Sequence, residues 1–145
     1  MKISIGCDHA GFDLKEQVKR LLEEFSHRVN DEGTFSDEST DYPDFARRVS
    51  QAVSKGTVDR GILICGTGIG MSIVANKFEG VRAALCHNIE TAQMSRLHND
   101  SNILALGSRV LDQEAALNIV REWLQTDFSG GRHQKRLDKI KGLGG

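Results

Sequence analysis

Three branched apolar residues in succession, Ile62-Leu63-Ile64, lead into Cys65, and Gly66, Gly68 and Gly70 follow before a helix-compatible run to Lys77. A short continuous apolar run closed by glycines predicts a strand buried on both faces, a tight loop and a helix N-terminus. The same alternation of periods runs along the rest of the chain. Residues 2–7 predict a strand with Ile3 and Ile5 as apolar members, and Phe12, Leu14, Val18, Leu21, Leu22 and Phe25 recur at the spacing of an amphipathic helix over about 12–25. Residues 28–31 predict a weak second strand. Phe45, Val49 and Val53 mark the inner face of a second helix, with Pro43 suited to its first turn. Beyond the strand at 61–65 come a helix at 71–78, a strand at 81–86, a helix at 89–98, a strand at 103–106, a helix at 113–124 and a polar helix at 132–141.

Strands that alternate regularly with helices predict an α/β fold with right-handed crossovers. The expected architecture is a doubly wound, Rossmann-like three-layer sandwich around a five-stranded parallel sheet, with a C-terminal helical tail. In such a sheet ligands bind beyond the carboxyl ends of the strands where the strand order reverses. Asp8, His9, Cys65, the glycine loop, His87 and Arg109 all map to that edge. The loop spacing is G-x-G-x-G, and Met71 stands where a dinucleotide fingerprint needs a small residue, so a smaller oxyanion is the better expectation for those amides.

Length adds that residues 1–145 make a single domain able to bury roughly two-thirds of the surface its unfolded chain exposes. Nineteen basic residues against twenty acidic ones leave a net charge of −1, which gives no reason to expect nucleic acid or an anionic membrane as partner. Locally the charge is uneven: residues 31–44 hold six acidic side chains and no basic one, whereas residues 130–145 hold five Lys or Arg and one Asp. Cys7, Cys65 and Cys86 are an odd set without metal-ligand spacing, and no apolar segment opens the chain, so a reducing cytoplasm is expected. No metal motif and no run long enough for a bilayer are present.

The candidate chemistry has bland counterparts. A cysteine ending a buried strand is often an inert apolar filler, yet a thiol beside loop amides at a helix N-terminus is where thiolate is favoured. That makes Cys65 the reactive candidate. Asp8-His9 suits either a helix cap or a site, and His98-Asn99 either a solvated helix end or a site. Arg132 and Arg136 stand four apart after Gly130-Gly131, a spacing that fits a phosphate dianion as well as a solvated face.

Several segments together resemble the ribose-5-phosphate isomerase B type of sugar-phosphate isomerase, related to the galactose-6-phosphate isomerase subunits. They are Cys7-Asp8-His9-Ala10-Gly11, Asp41-Tyr42-Pro43, Cys65 through Ser72 with Ala75-Asn76-Lys77, Arg82-Ala83-Ala84, His98-Asn99, and Gly131-Arg132-His133 with Arg136. The resemblance covers essentially the whole chain. It implies interconversion of D-ribose 5-phosphate and D-ribulose 5-phosphate in the pentose phosphate pathway, without metal or organic cofactor. It further implies Cys65 as the base of an enediolate mechanism and His98 as the acid that opens the furanose ring. Asp8, His9, Asn99 and the loop Gly66, Thr67, Gly68, Ile69 and Gly70 hold the sugar, and Arg109, Arg132 and Arg136 stand near phosphate. A hexose-6-phosphate isomerase, a non-catalytic sugar-phosphate module and a thiol redox protein pairing Cys65 with Cys7 are the alternatives. One geometric expectation follows. The helix at 89–98 runs back down the sheet, so at about 1.5 Å per residue His98 ends roughly 15 Å from Cys65. A homodimer whose subunits share each site is therefore expected, with a tetramer as the larger assembly left open.

Overall fold

The computed structural model describes residues 1–143. Its elements are β1 (Lys2–Cys7), a 3₁₀ turn (His9–Gly11), α1 (Phe12–Glu24), β2 (Arg28–Asp31), α2 (Tyr42–Lys55), β3 (Arg60–Cys65), α3 (Ile69–Ala75), β4 (Ala83–Leu85), α4 (Ile89–Leu97), β5 (Ile103–Gly107), α5 (Gln113–Gln125) and α6 (Arg132–Lys141). The five strands form one parallel sheet in the order β2-β1-β3-β5-β4. This is the expected doubly wound architecture, with the helical tail in place.

Residue alternation sorts the sheet's side chains into two cores. Ile3, Ile5, Cys7, Ile62, Ile64, Leu104 and Leu106 pack with α1, α4 and α5 around Trp123. Leu63, Cys65, Ile103 and Ala105 pack with Ala46, Val49 and Val53 of α2 and Met71 and Ala75 of α3. On that second face α2 lies almost on the backbone: a Cβ at Gly61 would stand 2.6 Å from Val49 Cγ1. A larger residue there would push the helix off the sheet.

From β1 the chain steps outward to β2 and then crosses back to β3, so the direction of winding reverses between β1 and β3. Cys7 and Ile64 are register partners, and the crevice therefore opens between Asp8-His9 on one side and Cys65-Gly66 on the other. The acidic segment after β2 reaches over this crevice. Its root is pinned: Lys15, fully buried in α1, donates to both carboxylate oxygens of Asp31 at 2.7 Å, and Lys19 adds a contact at 2.9 Å. The predicted strand at 81–86 shortens to Ala83–Leu85, and beside its start the Asn76 side chain bonds both N–H and C=O of Ala83 while the Asn102 side chain takes the N–H of Arg82.

Candidate active site

Cys65 ends β3 with only 5% of its surface exposed, and its Sγ accepts the main-chain N–H of Gly68 at 3.1 Å. That contact needs a loop lying flat on the sheet. Gly68 supplies it with φ 80°, and a Cβ there would stand 2.6 Å from Leu85 Cδ1 and 2.9 Å from the carbonyl carbon of Leu106. Not every amide of the glycine loop is free, which corrects the simple picture of a cradle of five donors. The Gly68 N–H serves the sulfur and that of Ile69 bonds Thr67 Oγ1 at 3.2 Å. Among the described residues the N–H groups of Gly66, Thr67 and Gly70 carry no such partner, and these are the donors left for a ligand.

Around Cys65 the neighbouring loops close the crevice. Asp8 caps the 3₁₀ turn through Oδ1, which accepts from Ala10 N–H at 3.0 Å and Gly11 N–H at 3.2 Å. Its cap role is thus real and engages one carboxylate oxygen. His9 is half-buried and bonded twice to Thr40: its own N–H donates to Thr40 Oγ1, and its Nδ1 accepts the Thr40 N–H, both at 3.1 Å. Arg109 is held by its N–H to the Gly66 carbonyl at 3.0 Å, and its guanidinium lies over Gly66, where a Cβ would meet Nη1 at 3.3 Å. Ser108 ties the two sides together, its hydroxyl donating to the carbonyls of Ala10 and Cys65. The Tyr42 ring covers Gly70 so closely that a Cβ there would overlap its Cε1. Neither Thr40 nor Tyr42 carried a role in the sequence reading, since only the fold brings the acidic loop across the crevice.

His98 and Asn99 lie elsewhere. Cys65 is in register with Gly107 at the top of β5, whereas His98 and Asn99 precede Asn102 and the foot of that strand at Ile103. Four residue steps of strand, about 13 Å, separate those levels. Both residues are exposed, and the tail joins them there: Ser129 donates through N–H and hydroxyl to the Leu97 carbonyl, at 3.1 and 2.6 Å. The His133 ring, to which the sequence assigned no role, stacks on His98 with centroids 4.3 Å apart. The site residues therefore form two groups. Asp8, His9, Cys65, the glycine loop and Arg109 meet at the upper edge, while His98, Asn99, Arg132 and Arg136 gather near the lower one. His87 is exposed after β4, and His27 meets the N-terminal amine at 3.0 Å.

The cysteines differ in surroundings. Burial pushes the Cys7 thiol up to about 12 and also raises that of Cys86, so both stay protonated and inert. Cys7 sits in the α1–α5 core and Cys65 in the α2–α3 core. The sheet itself lies between the two sulfurs, which removes Cys7 as a resolving partner for Cys65. Among the described residues, no group of three or more His, Cys, Asp or Glu is placed to hold a metal ion, and no helix is long and apolar enough to cross a membrane.

The fold and crevice define a doubly wound α/β protein with a thiol and amide donors at its switch point. The family model described as Ribose/Galactose Isomerase matches residues 3–140. Ribose-5-phosphate isomerase B of Escherichia coli (strain K12) is 53% identical over 142 residues, covering 98% of this chain and 95% of that protein. The solved structure of Clostridium thermocellum ribose-5-phosphate isomerase B matches at a TM-score of 0.95 and 54% identity, over 97% of this chain and 95% of that one. A Mycoplasma genitalium ribose-5-phosphate isomerase B with bound ribulose-5-phosphate matches at a TM-score of 0.93 and 43% identity, over 97% and 93% of the two chains. The chain belongs to the ribose/galactose isomerase family.

Proposed function

We propose that this chain is a single-domain ribose-5-phosphate isomerase, interconverting D-ribose 5-phosphate and D-ribulose 5-phosphate with Cys65 as base. The observation that carries the assignment is the Cys65 sulfur, secluded at the switch point with one amide N–H aimed at it and three more free beside it. The thiolate takes the proton from C2 of the open-chain aldose, and the electron pair moves through C1 to leave the charge on O1. Cys65 returns that proton to C1, the proton of the O2 hydroxyl passes to O1, and the ketone forms at C2 with a hydroxyl on C1. The charge on the enediolate is met by fixed amide donors that need not reorganise. His98 serves as the acid that opens the furanose ring, Asp8, His9 and Asn99 hold the sugar, and Arg109, Arg132 and Arg136 neutralise the phosphate. The named activity of the Escherichia coli relative and the ribulose-5-phosphate bound to the Mycoplasma genitalium structure support the substrate choice.

The two groups of site residues need one another, so the active unit is a homodimer in which a second copy brings His98, Asn99, Arg132 and Arg136 to Cys65. Ile69 and Ile73, one turn apart on α3 and 51% and 57% exposed, offer an apolar face beside the crevice for that copy to cover. A reducing cytoplasm suits a reaction that depends on a free thiol.

The test is Cys65→Ser, assayed with ribose 5-phosphate and with aldohexose 6-phosphates. The variant should fold as the parent does and lose on the order of 10²-fold or more in kcat, the range general-base groups supply. Near-native turnover would remove Cys65 as base, and a parent that prefers a hexose phosphate would redirect the substrate assignment.

A further inference from the structure

The reciprocal contact between His9 and Thr40 fixes more than a position. A main-chain N–H always donates, so the His9 Nδ1 that receives it at 3.1 Å presents a lone pair, and the ring proton of the neutral imidazole resides on Nε2. That Nε2–H has no partner among the described residues, which leaves it as the donor available in the crevice. The second half of the contact, His9 N–H to Thr40 Oγ1, holds the threonine where its amide meets the ring.

Thr40 has little else to hold it there. The root of its loop is fixed by the Asp31 carboxylate and by main-chain bonds between Cys7 and Gly33-Thr34. From residue 35 to residue 40 the hydrogen bonds described between the loop and the rest of the chain are the two that join Thr40 to His9, and Asp41 next to it already accepts the Asp44 N–H of α2 at 3.3 Å. Loop and imidazole therefore set each other's place.

We propose that Thr40 is a positioning residue that locks His9 in the Nε2–H tautomer, so that His9 meets an anionic oxygen of the substrate as a directed hydrogen-bond donor and takes no part as a base. This assignment rests on the isomerase reading for the identity of the substrate, but the tautomer itself does not.

Nitrogen-detected NMR of ¹⁵N-histidine protein at mildly alkaline pH reads the tautomer without any substrate. The His9 Nδ1 should resonate in the pyridine-type range and Nε2 in the pyrrole-type range. Thr40→Val keeps the shape and removes Oγ1, and the His9 signals should move toward a mixture of tautomers. Its kcat/KM should fall about tenfold, mainly through KM, the size of one lost hydrogen bond of about 1.4 kcal/mol. Thr40→Ser restores the oxygen and should restore both readouts. His9→Gln, whose amide nitrogen reaches the Nε2 position, should bind inorganic phosphate more tightly than His9→Asn, whose polar atoms stand at the Nδ1 level. A pyrrole-type Nδ1 in the parent, or a Thr40→Val protein with unaltered tautomer and KM, overturns the proposal, as does stronger phosphate binding by His9→Asn. A parent without turnover on ribose 5-phosphate would defeat the isomerase reading while the NMR result still decided the role of Thr40.

Discussion

Two inactive proteins should make an active mixture. On the proposed mechanism Cys65→Ser lacks the base and His98→Ala lacks the ring-opening acid, so each homodimer should be dead at both of its sites. The register between β3 and β5 sets the scale of the argument: Cys65 lies level with Gly107, and His98 lies beyond Ile103 at the other end of that strand, about 13 Å away before side chains are counted. A proton-transfer contact needs about 3 Å, so on the proposed mechanism the His98 that meets the sugar over Cys65 comes from a second copy. In a hybrid dimer one site lacks both groups and the other has both. Random exchange makes half of the dimers hybrids, each with one intact site of two, so an equimolar mixture should reach about a quarter of the parent's specific activity. Subunit exchange is followed by native mass spectrometry with one variant ¹⁵N-labelled, and the coupled isomerase assay is run on the same samples. Hybrids present in statistical amount with activity no higher than either parent variant would refute the shared site. A parent that keeps full activity as a monomer at high dilution would do the same.

Arg136→Ala should raise KM for ribose 5-phosphate on the order of ten- to a hundredfold, the loss of one charge-assisted hydrogen bond, with kcat affected less. Inorganic phosphate should inhibit this variant far more weakly than the parent, and unchanged kinetics would return α6 to a solvated tail. The pinned root of the acidic loop makes a prediction about pH. Burial raises the Asp31 carboxyl, but donation from Lys15, Lys19 and the Gly33 N–H outweighs it and holds the group below its ordinary value of 3.8. The folded state therefore binds fewer protons than the unfolded chain, and the stabilisation is in place above about pH 4 and lost as pH falls through the depressed value. Asp31→Asn leaves the buried Lys15 with only the longer 3.5 Å carboxylate contact to Glu16, should cost on the order of 3–5 kcal/mol near neutral pH, and should flatten the fall of Tm below about pH 4. Calorimetry across that range checks both, and an acid limb as steep as the parent's would show that other carboxylates set it.

The order of strands and helices was legible because every core element carries its own period. The β3 run of Ile62-Leu63-Ile64, closed by glycines, reads as a strand buried on both faces, and α1 and α5 each show one apolar stripe. Cys65, His9 and Arg109 were legible for a related reason: topology alone sends strand ends to one edge. Thr40, Tyr42 and His133 were not. Their roles come from contacts between segments distant in the chain, Thr40 with His9, Tyr42 with Gly70 and His133 with His98, and no local pattern encodes such a meeting. The asparagine contacts at the start of β4 were hidden in the same way. The cap at Asp8 was visible as one alternative, and the structure shows it engaging one oxygen of a side chain that has a second to offer.

The ring of Tyr42 over Gly70 has a consequence for descent. Gly68 is closed to other residues in any background, since its φ and the main chain of Leu106 both bar a side chain. Gly70 is different, because it lies inside α3 without a positive φ and the three atoms nearest to a methyl group there all belong to the Tyr42 side chain. With tyrosine at 42, alanine at 70 meets a collision. Once 42 has become small, the same step is open and gains about 1 kcal/mol of helix propensity. The two sites are thus coupled: alanine at 70 has to displace the partly exposed Tyr42 ring, and the same step costs less once 42 has changed.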